Sequence, residues 1–234
     1  MSFFDKFPAM ERTDLRDLKK GIDSSFKEFS RSWGEGIEAF FDPLFYFLVN
    51  FEKLLLATPW PIIIAIVAAL SYLGSRSWKL SAGAAVSFLV IGYLGMWNNT
   101  MSTVALISVA TFICIAVGIP IGIAMSRSDR LQAMITPILD IMQTIPIFVY
   151  LLPVVMLLGI GKVPGLIAVC VYAMPPIVRL TNLGLRLVDK EILEAADAFG
   201  SNYRQRLFRV QLPLALPNIF AGVNQTIMMA LAMV

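Results

Sequence analysis

TMSTVALISVATFICIAVGIPIGIAM, Thr100 to Met125, decides what kind of protein this chain is. The stretch contains no charged residue. Wound as an α-helix at 1.5 Å per residue it is about 39 Å long, enough to cross the ~30 Å hydrocarbon core of a bilayer. Within it, Gly118 and Gly122 stand four apart, the spacing of a helix-packing motif. The whole chain has the same character. Of its 234 residues 58% are hydrophobic and 15% charged, with a mean hydropathy of +0.75, whereas a soluble domain carries about 25% charged residues. Too few polar side chains remain to cover a water-facing surface, and lipid is the solvent that resolves this. The expected fold class is all-α: a polytopic transmembrane helical bundle.

Working outward, five more apolar segments accompany this one: about Pro59–Gly74, Leu80–Trp97, Pro137–Ile160, Val163–Leu183 and Leu214–Val234. Counted in chain order, Thr100–Met125 is span three of six. Before them, residues 1–57 are polar or amphipathic and form a separate segment; Met1–Asp5 offers no basic start to a signal peptide. About Glu35–Ala57 reads as an amphipathic helix on the membrane surface, with a helix packed on a partner as the other reading. Residues 58–234 form the transmembrane domain. Eleven Lys/Arg follow Ala57, and alternate connections share a side. Arg76, Lys79, Arg127, Arg130, Arg179, Arg186, Lys190, Arg204, Arg206 and Arg209 fall on one side, and Lys162 alone on the other. The positive-inside rule makes the first side cytoplasmic and puts the amino terminus outside.

The longest cytoplasmic loop, about residues 186–213, lies between spans five and six. Asp189 can cap a short helix in which Ile192, Ala195, Ala196 and Phe199 form an apolar stripe, and Gly200 can end it. A second helical stretch carries Arg204, Arg206 and Arg209, and Pro213 and Pro217 bracket the return into the membrane. On these residues alone, an ordinary amphipathic interfacial helix and a docking helix are both open. Glu194-Ala195-Ala196, three residues, Gly200, nine residues, then Val210-Gln211-Leu212-Pro213 resembles the loop signature EAA-x3-G-x9-I-x-L-P of ABC importer permeases, with Val210 in place of Ile. Leu139–Gly165, Ala173–Leu185 and Gln211–Val234 are similar to the glycine betaine/proline betaine permeases of that family.

The resemblance implies a type I ABC importer permease-like bundle in the bacterial inner membrane. Glu194, Ala195, Ala196, Phe199, Gly200 and Pro213 would couple it to a cytoplasmic ATPase. It implies a homodimer, with two ATPase subunits inside and a substrate-binding protein outside. The solute would be a small quaternary-ammonium or zwitterionic osmolyte such as glycine betaine or proline betaine; choline, carnitine and trimethylamine N-oxide stay open. ATP and Mg²⁺ would sit on the partner ATPase, because the chain contains no phosphate-cradling GxxxxGK[ST] loop. Permeases of this kind continue past the point matching Val234, so the C-terminal part of the family domain is expected to be absent here.

Polar residues inside the spans are the candidates for a translocation path: Asp140, Gln143, Thr144 and Pro146 in span four, Asn224 and Gln225 in span six. Asp140 has a second reading, as the interfacial partner of Arg127 or Arg130. Asn224, Gln225 and Thr226 are expected to face the bundle interior. Pro146, Pro153, Pro175 and Pro176 are expected to interrupt spans four and five. Phe148, Tyr150 and Tyr172 could attract a quaternary ammonium through their ring faces or simply pack. An intramembrane enzyme is disfavoured by the absence of histidine, of a GxSxG elbow and of clustered acids, and no metal site or bound cofactor is expected. Cys114 and Cys170 read as small buried apolar residues. A passive channel is the remaining alternative, and it would not need a docking helix.

Overall fold

The computed structural model describes residues 12–234; residues 1–11 of the amino-terminal segment lie outside the described residues. The described residues are helical almost throughout: α1 (Arg12–Ala57), α2 (Trp60–Ser75), α3 (Trp78–Tyr93), α4 (Trp97–Arg127), α5 (Asp129–Thr144), α6 (Ile147–Leu158), α7 (Lys162–Arg186) and α8 (Lys190–Ala198). A last helix, α9 (Tyr203–Met233), follows. Among them α4, α7 and α9 are each long and apolar enough to cross a membrane alone.

These three form the core. The chain direction puts the C-terminal ends of α4 and α7 beside the N-terminal end of α9, so α9 runs against the other two. Small residues let the backbones meet. A Cβ added to Gly118 would lie 2.5 Å from Ile177 Cγ2, and one added to Gly122 2.6 Å from Thr181 Cβ and 2.7 Å from the Val178 carbonyl oxygen. The Gly118/Gly122 spacing therefore marks a true close approach of α4 to α7. Gly184 meets Asn218 of α9 in the same way, at 2.7 Å. Cys114 and Cys170 are buried at the α4–α7 seam, where the Cys114 thiol lies 3.6 Å from the Cys170 carbonyl oxygen.

Four expectations from sequence meet the structure in different ways. First, span four is interrupted at Pro146, as expected, whereas Pro153 lies inside α6 and interrupts nothing. α5 and α6 meet at 90°; the break falls at Ile145, which is extended, and Pro146 (φ −56°, ψ 137°) stands outside α6 as its N-cap. The residue before a proline is pushed out of the helical region, and here nothing encloses the chain to oppose it. Second, Pro175 and Pro176 do not interrupt α7, which runs unbroken from Lys162 to Arg186. Both prolines are buried, and contacts with α4 and α9 hold the helix through them. Third, α1 starts well before Glu35: Leu15, Leu18 and Ile22 continue a helical spacing among residues that favour helix. Its last turns rest on α4, with Leu48 1% exposed. Fourth, the second loop helix is continuous with span six. α9 passes through a wider, π-type turn at Arg206–Gln211 just before Pro213, where a ring without an N–H could not complete a regular turn.

The α2–α3 hairpin stands apart. Ser81 Oγ donates to the Ala68 carbonyl at 2.6 Å across it, yet Ile63 is the one buried residue of α2 and α3 has none. α3 ends at Tyr93, and Trp97, expected to close span two, opens α4.

Candidate functional site

α8 begins where Asp189 accepts a hydrogen bond from the Glu191 N–H at 3.0 Å, with Glu191 itself near the positive helix end. It ends in two tight bonds, from Gly200 N–H to the Asp197 carbonyl (2.9 Å) and from Ser201 N–H to the Ala196 carbonyl (3.1 Å). That pairing requires a left-handed residue, and Gly200 has φ +79°. Asn202 then opens α9 with a reciprocal cap, its side chain and that of Gln205 each bonding the other's backbone N–H at 2.9 Å. Both ends of α8 thus follow from local residue choice.

Side chains lock this piece onto the end of the bundle. Arg206 pairs with Asp197 at 2.6 Å, joining α8 to α9. Arg127, at the end of α4, stacks over the Tyr203 ring at 4.3 Å. Arg186 donates to the Met125 carbonyl (3.0 Å) and Asn182 Oδ1 (3.1 Å) and pairs with Asp129 (2.7 Å). One guanidinium so ties the α4–α5 corner to the end of α7, four residues before α8. Its fork geometry suits three partners at once. Sequence reading missed Arg186 and Arg206 in these roles; neither α7 nor α9 contains an acid, and the partners Asp129 and Asp197 lie 57 and nine residues away.

The face of α8 that carries Ile192, Ala195 and Phe199 has no cover. Glu194, Ala195 and Gly200 are exposed, Ala196 is half-buried, and Phe199 is 93% exposed. Pro213 is exposed at the base of α9. A large apolar side chain held in the open on a rigid, capped helix is the kind of surface that takes a protein partner.

The polar residues of the spans divide. Asp140 pairs with Arg179 of α7 at 2.5 Å rather than with Arg127 or Arg130. Gln143 is half-buried and its amide lies 3.8 Å from Met229 Sδ on α9. Thr144 is exposed and bonds back to the Ile141 carbonyl at 3.5 Å; Pro146 is exposed at the break. Thr226 is fully buried, but Asn224 and Gln225 are exposed on the outer face of α9 rather than turned into the bundle. Phe148 is exposed, and Tyr150 and Tyr172 are half-buried. Asp140 and Arg179 are brought together between α5 and α7, while Gln143 reaches α9; Asn224 and Gln225 make no side-chain hydrogen bond among the described residues.

Residues 114–233, which contain every one of these candidates, match the family described as binding-protein-dependent transport system inner membrane component. The chain is 48% identical over 197 residues to the glycine betaine/proline betaine transport system permease protein of Escherichia coli K12, covering 82% of this chain and 54% of that one. It is 41% identical over 235 residues to the glycine betaine transport system permease protein of Bacillus subtilis 168 (98% and 79%). It is 44% identical over 181 residues to the glycine betaine/carnitine transport permease protein of Listeria monocytogenes (76% and 64%). The chain spans about half the length of the first of these relatives.

Proposed function

The chain belongs to the family of binding-protein-dependent transport system inner membrane components, and from that premise we propose that it is the membrane-spanning permease subunit of an ATP-driven importer. The solute is a small quaternary-ammonium or zwitterionic osmolyte, glycine betaine or proline betaine first, with choline, carnitine or trimethylamine N-oxide as alternatives. The observation that carries the reading is α8: a helix clamped to the bundle by Arg206–Asp197 while its apolar stripe, Phe199 foremost, stands uncovered.

The chemistry of this chain is mechanical. A cytoplasmic ATPase, holding ATP and Mg²⁺, takes the stripe of Ile192, Ala195 and Phe199 into a groove. When that subunit moves, α8 moves as a unit, since both of its ends are capped. The Asp197–Arg206 pair passes the displacement to the start of α9, and the Arg127–Tyr203 contact passes it to α4. The wider turn at Arg206–Gln211 and the Pro146 break are the places where helix geometry can yield. Asp140, Arg179, Gln143, Thr144, Asn224 and Gln225 are too polar to face lipid tails. They line a wet path or the seam with a second copy of the chain, and selectivity is shared with an outside solute-binding protein. Ten of the eleven Lys/Arg after Ala57 assign the α8 end to the cytoplasm and the amino terminus to the outside.

The test is reconstitution in vesicles with the ATPase and binding protein that purify with the chain. Uptake of glycine betaine should require all three and ATP. A cysteine at Ala195 should crosslink to the ATPase and one at Asn98 should not. Gly200→Val should leave the protein inserted but abolish the response of ATP hydrolysis to loaded binding protein, because φ +79° resists a β-branched residue. Flux that persists without ATP would make the chain a passive channel. ATP-driven uptake of a sugar with no response to any methylated amine would overturn the solute and leave the permease.

A further inference from the structure

Near the end of the bundle away from α8 lies a carboxylate that the mechanism above does not use. Glu52 of α1 is 7% exposed, in a mostly apolar run that also holds Asn50 and Lys53. Its Oε1 accepts from Ser102 Oγ of α4 at 2.6 Å, and its Oε2 accepts from Lys162 Nζ, at the first residue of α7. One turn earlier on the same face of α1, Leu48 is buried in the main core. Three helices therefore converge on one carboxylate. The two ends of α7, Lys162 and Arg186, are about 37 Å apart by helix rise, so this cluster and α8 occupy opposite ends of the bundle.

Lys162 closes the short α6–α7 turn, Gly159–Gly161. That turn has little of its own to hold it. Gly159 sits at φ +77°, Gly161 is fully extended, and Ile160 is almost wholly exposed. A cleft of about 250 Å³ separates the turn from Asp42 and Phe45 of α1. The Glu52–Lys162 ion pair is the side-chain tie that fixes where the turn stands relative to α1 and α4.

We infer that Glu52 is a positioning residue: through Lys162 it holds the α6–α7 turn in the shape that a solute-loaded binding protein meets on the face opposite α8. The inference rests on the importer reading. Its chemistry is a buried carboxylate that needs a cation, met by a lysine that reaches it from water. Glu52→Gln is the clean variant, because Lys162 is half-exposed and can find water when its partner is lost, whereas replacing Lys162 would strand a buried carboxylate.

The experiment uses the complex of chain, ATPase and native binding protein in lipid nanodiscs, with the binding protein loaded with glycine betaine. In Glu52→Gln the concentration of loaded binding protein that half-stimulates ATP hydrolysis should rise about five- to tenfold while the maximal rate is kept. Glu52→Asp should recover part of the loss, and the exchange Glu52→Lys with Lys162→Glu most of it. A second readout needs no partner. In a chain lacking Cys114 and Cys170, Leu48→Cys should resist a thiol reagent, label when Glu52→Gln is added, and be protected again by the exchange. An unchanged half-stimulating concentration in Glu52→Gln, or a fall in maximal rate alone, overturns the inference even if Leu48→Cys labels; Glu52 is then a structural tie only. A wild-type complex that no loaded binding protein stimulates overturns the importer reading, and this inference with it, while the labelling result still reports on the tie.

Discussion

The α4–α7–α9 core and the α2–α3 hairpin are built from equally apolar sequence and behave differently. In the core, four of the five glycines mark places where another helix is already in contact, Gly118 against Ile177, Gly122 against Thr181, Gly184 against Asn218 and Gly222 against Ile177 and Leu180, Gly165 near the start of α7 being the exception. In the hairpin, an added Cβ on Gly74 or Gly83 meets nothing within 4 Å, and Leu70, Leu73, Leu80 and Val90 are exposed. Lipid tails are as apolar as leucine, so apolarity alone does not bring membrane helices together; close backbone approach and packing do. The core has that approach and holds itself together. The hairpin offers broad leucine-rich faces to lipid or to another chain.

The sharpest way to break this comparison is Gly122→Leu. Its side chain would have to enter the Val178 backbone, which cannot swing aside, so a loss above about 3 kcal/mol is expected. Fluorescence-detected size exclusion should find no monodisperse protein, whereas Gly83→Leu should elute as wild type. Next in size is Gly118→Ala, which meets the Ile177 methyl at 2.5 Å. It should cost about 1–3 kcal/mol and lower the melting temperature, against a change within about 0.5 kcal/mol for Gly74→Ala.

Smaller still is Arg186→Gln, which removes the clamp on Met125, Asn182 and Asp129 at the core's end. Its partial exposure limits the loss to about 1 kcal/mol. Thermal unfolding in detergent should report it. The smallest effects sharpen the contrast from the other side. Thr226 is fully buried in α9 with a hydroxyl that finds no partner. Thr226→Val keeps the shape and drops the unpaired group, so it should be neutral or slightly stabilising, within about 0.5 kcal/mol. Leu73→Ala on the open face of α2 should not move the melting temperature at all. A large loss at Leu73 would mean that the hairpin packs as tightly as the core.

Three prolines show where sequence reading reaches its limit. Pro146 and the Pro175–Pro176 pair carry the same local instruction, a missing N–H and a preceding residue biased away from the helix. The first breaks the chain by 90° and the second leaves α7 continuous. The difference is enclosure. Pro175 and Pro176 are buried among α4 and α9, while the α5–α6 junction is open on one side. Asp140 shows the same limit: its sequence neighbourhood offered Arg127 and Arg130, and tertiary packing pairs it with Arg179 instead. Lys162 stands alone on its side among the Lys/Arg after Ala57; that it meets Glu52, 110 residues away, is nowhere in either neighbourhood.

What the sequence determined by itself was whatever acts within a turn or two, or through sums over the whole chain. Composition required lipid as the solvent, and Asp189 and Gly200 placed both ends of α8 through hydrogen bonds spanning at most five residues. What only the tertiary structure decided was which glycines are contacts, which proline breaks a helix, which arginine holds Asp140, and that Glu52 and Lys162 form one cluster. Each of those depends on atoms brought within about 4 Å from distant parts of the chain. Packing energy falls off within that distance, so no pattern along the backbone can encode it.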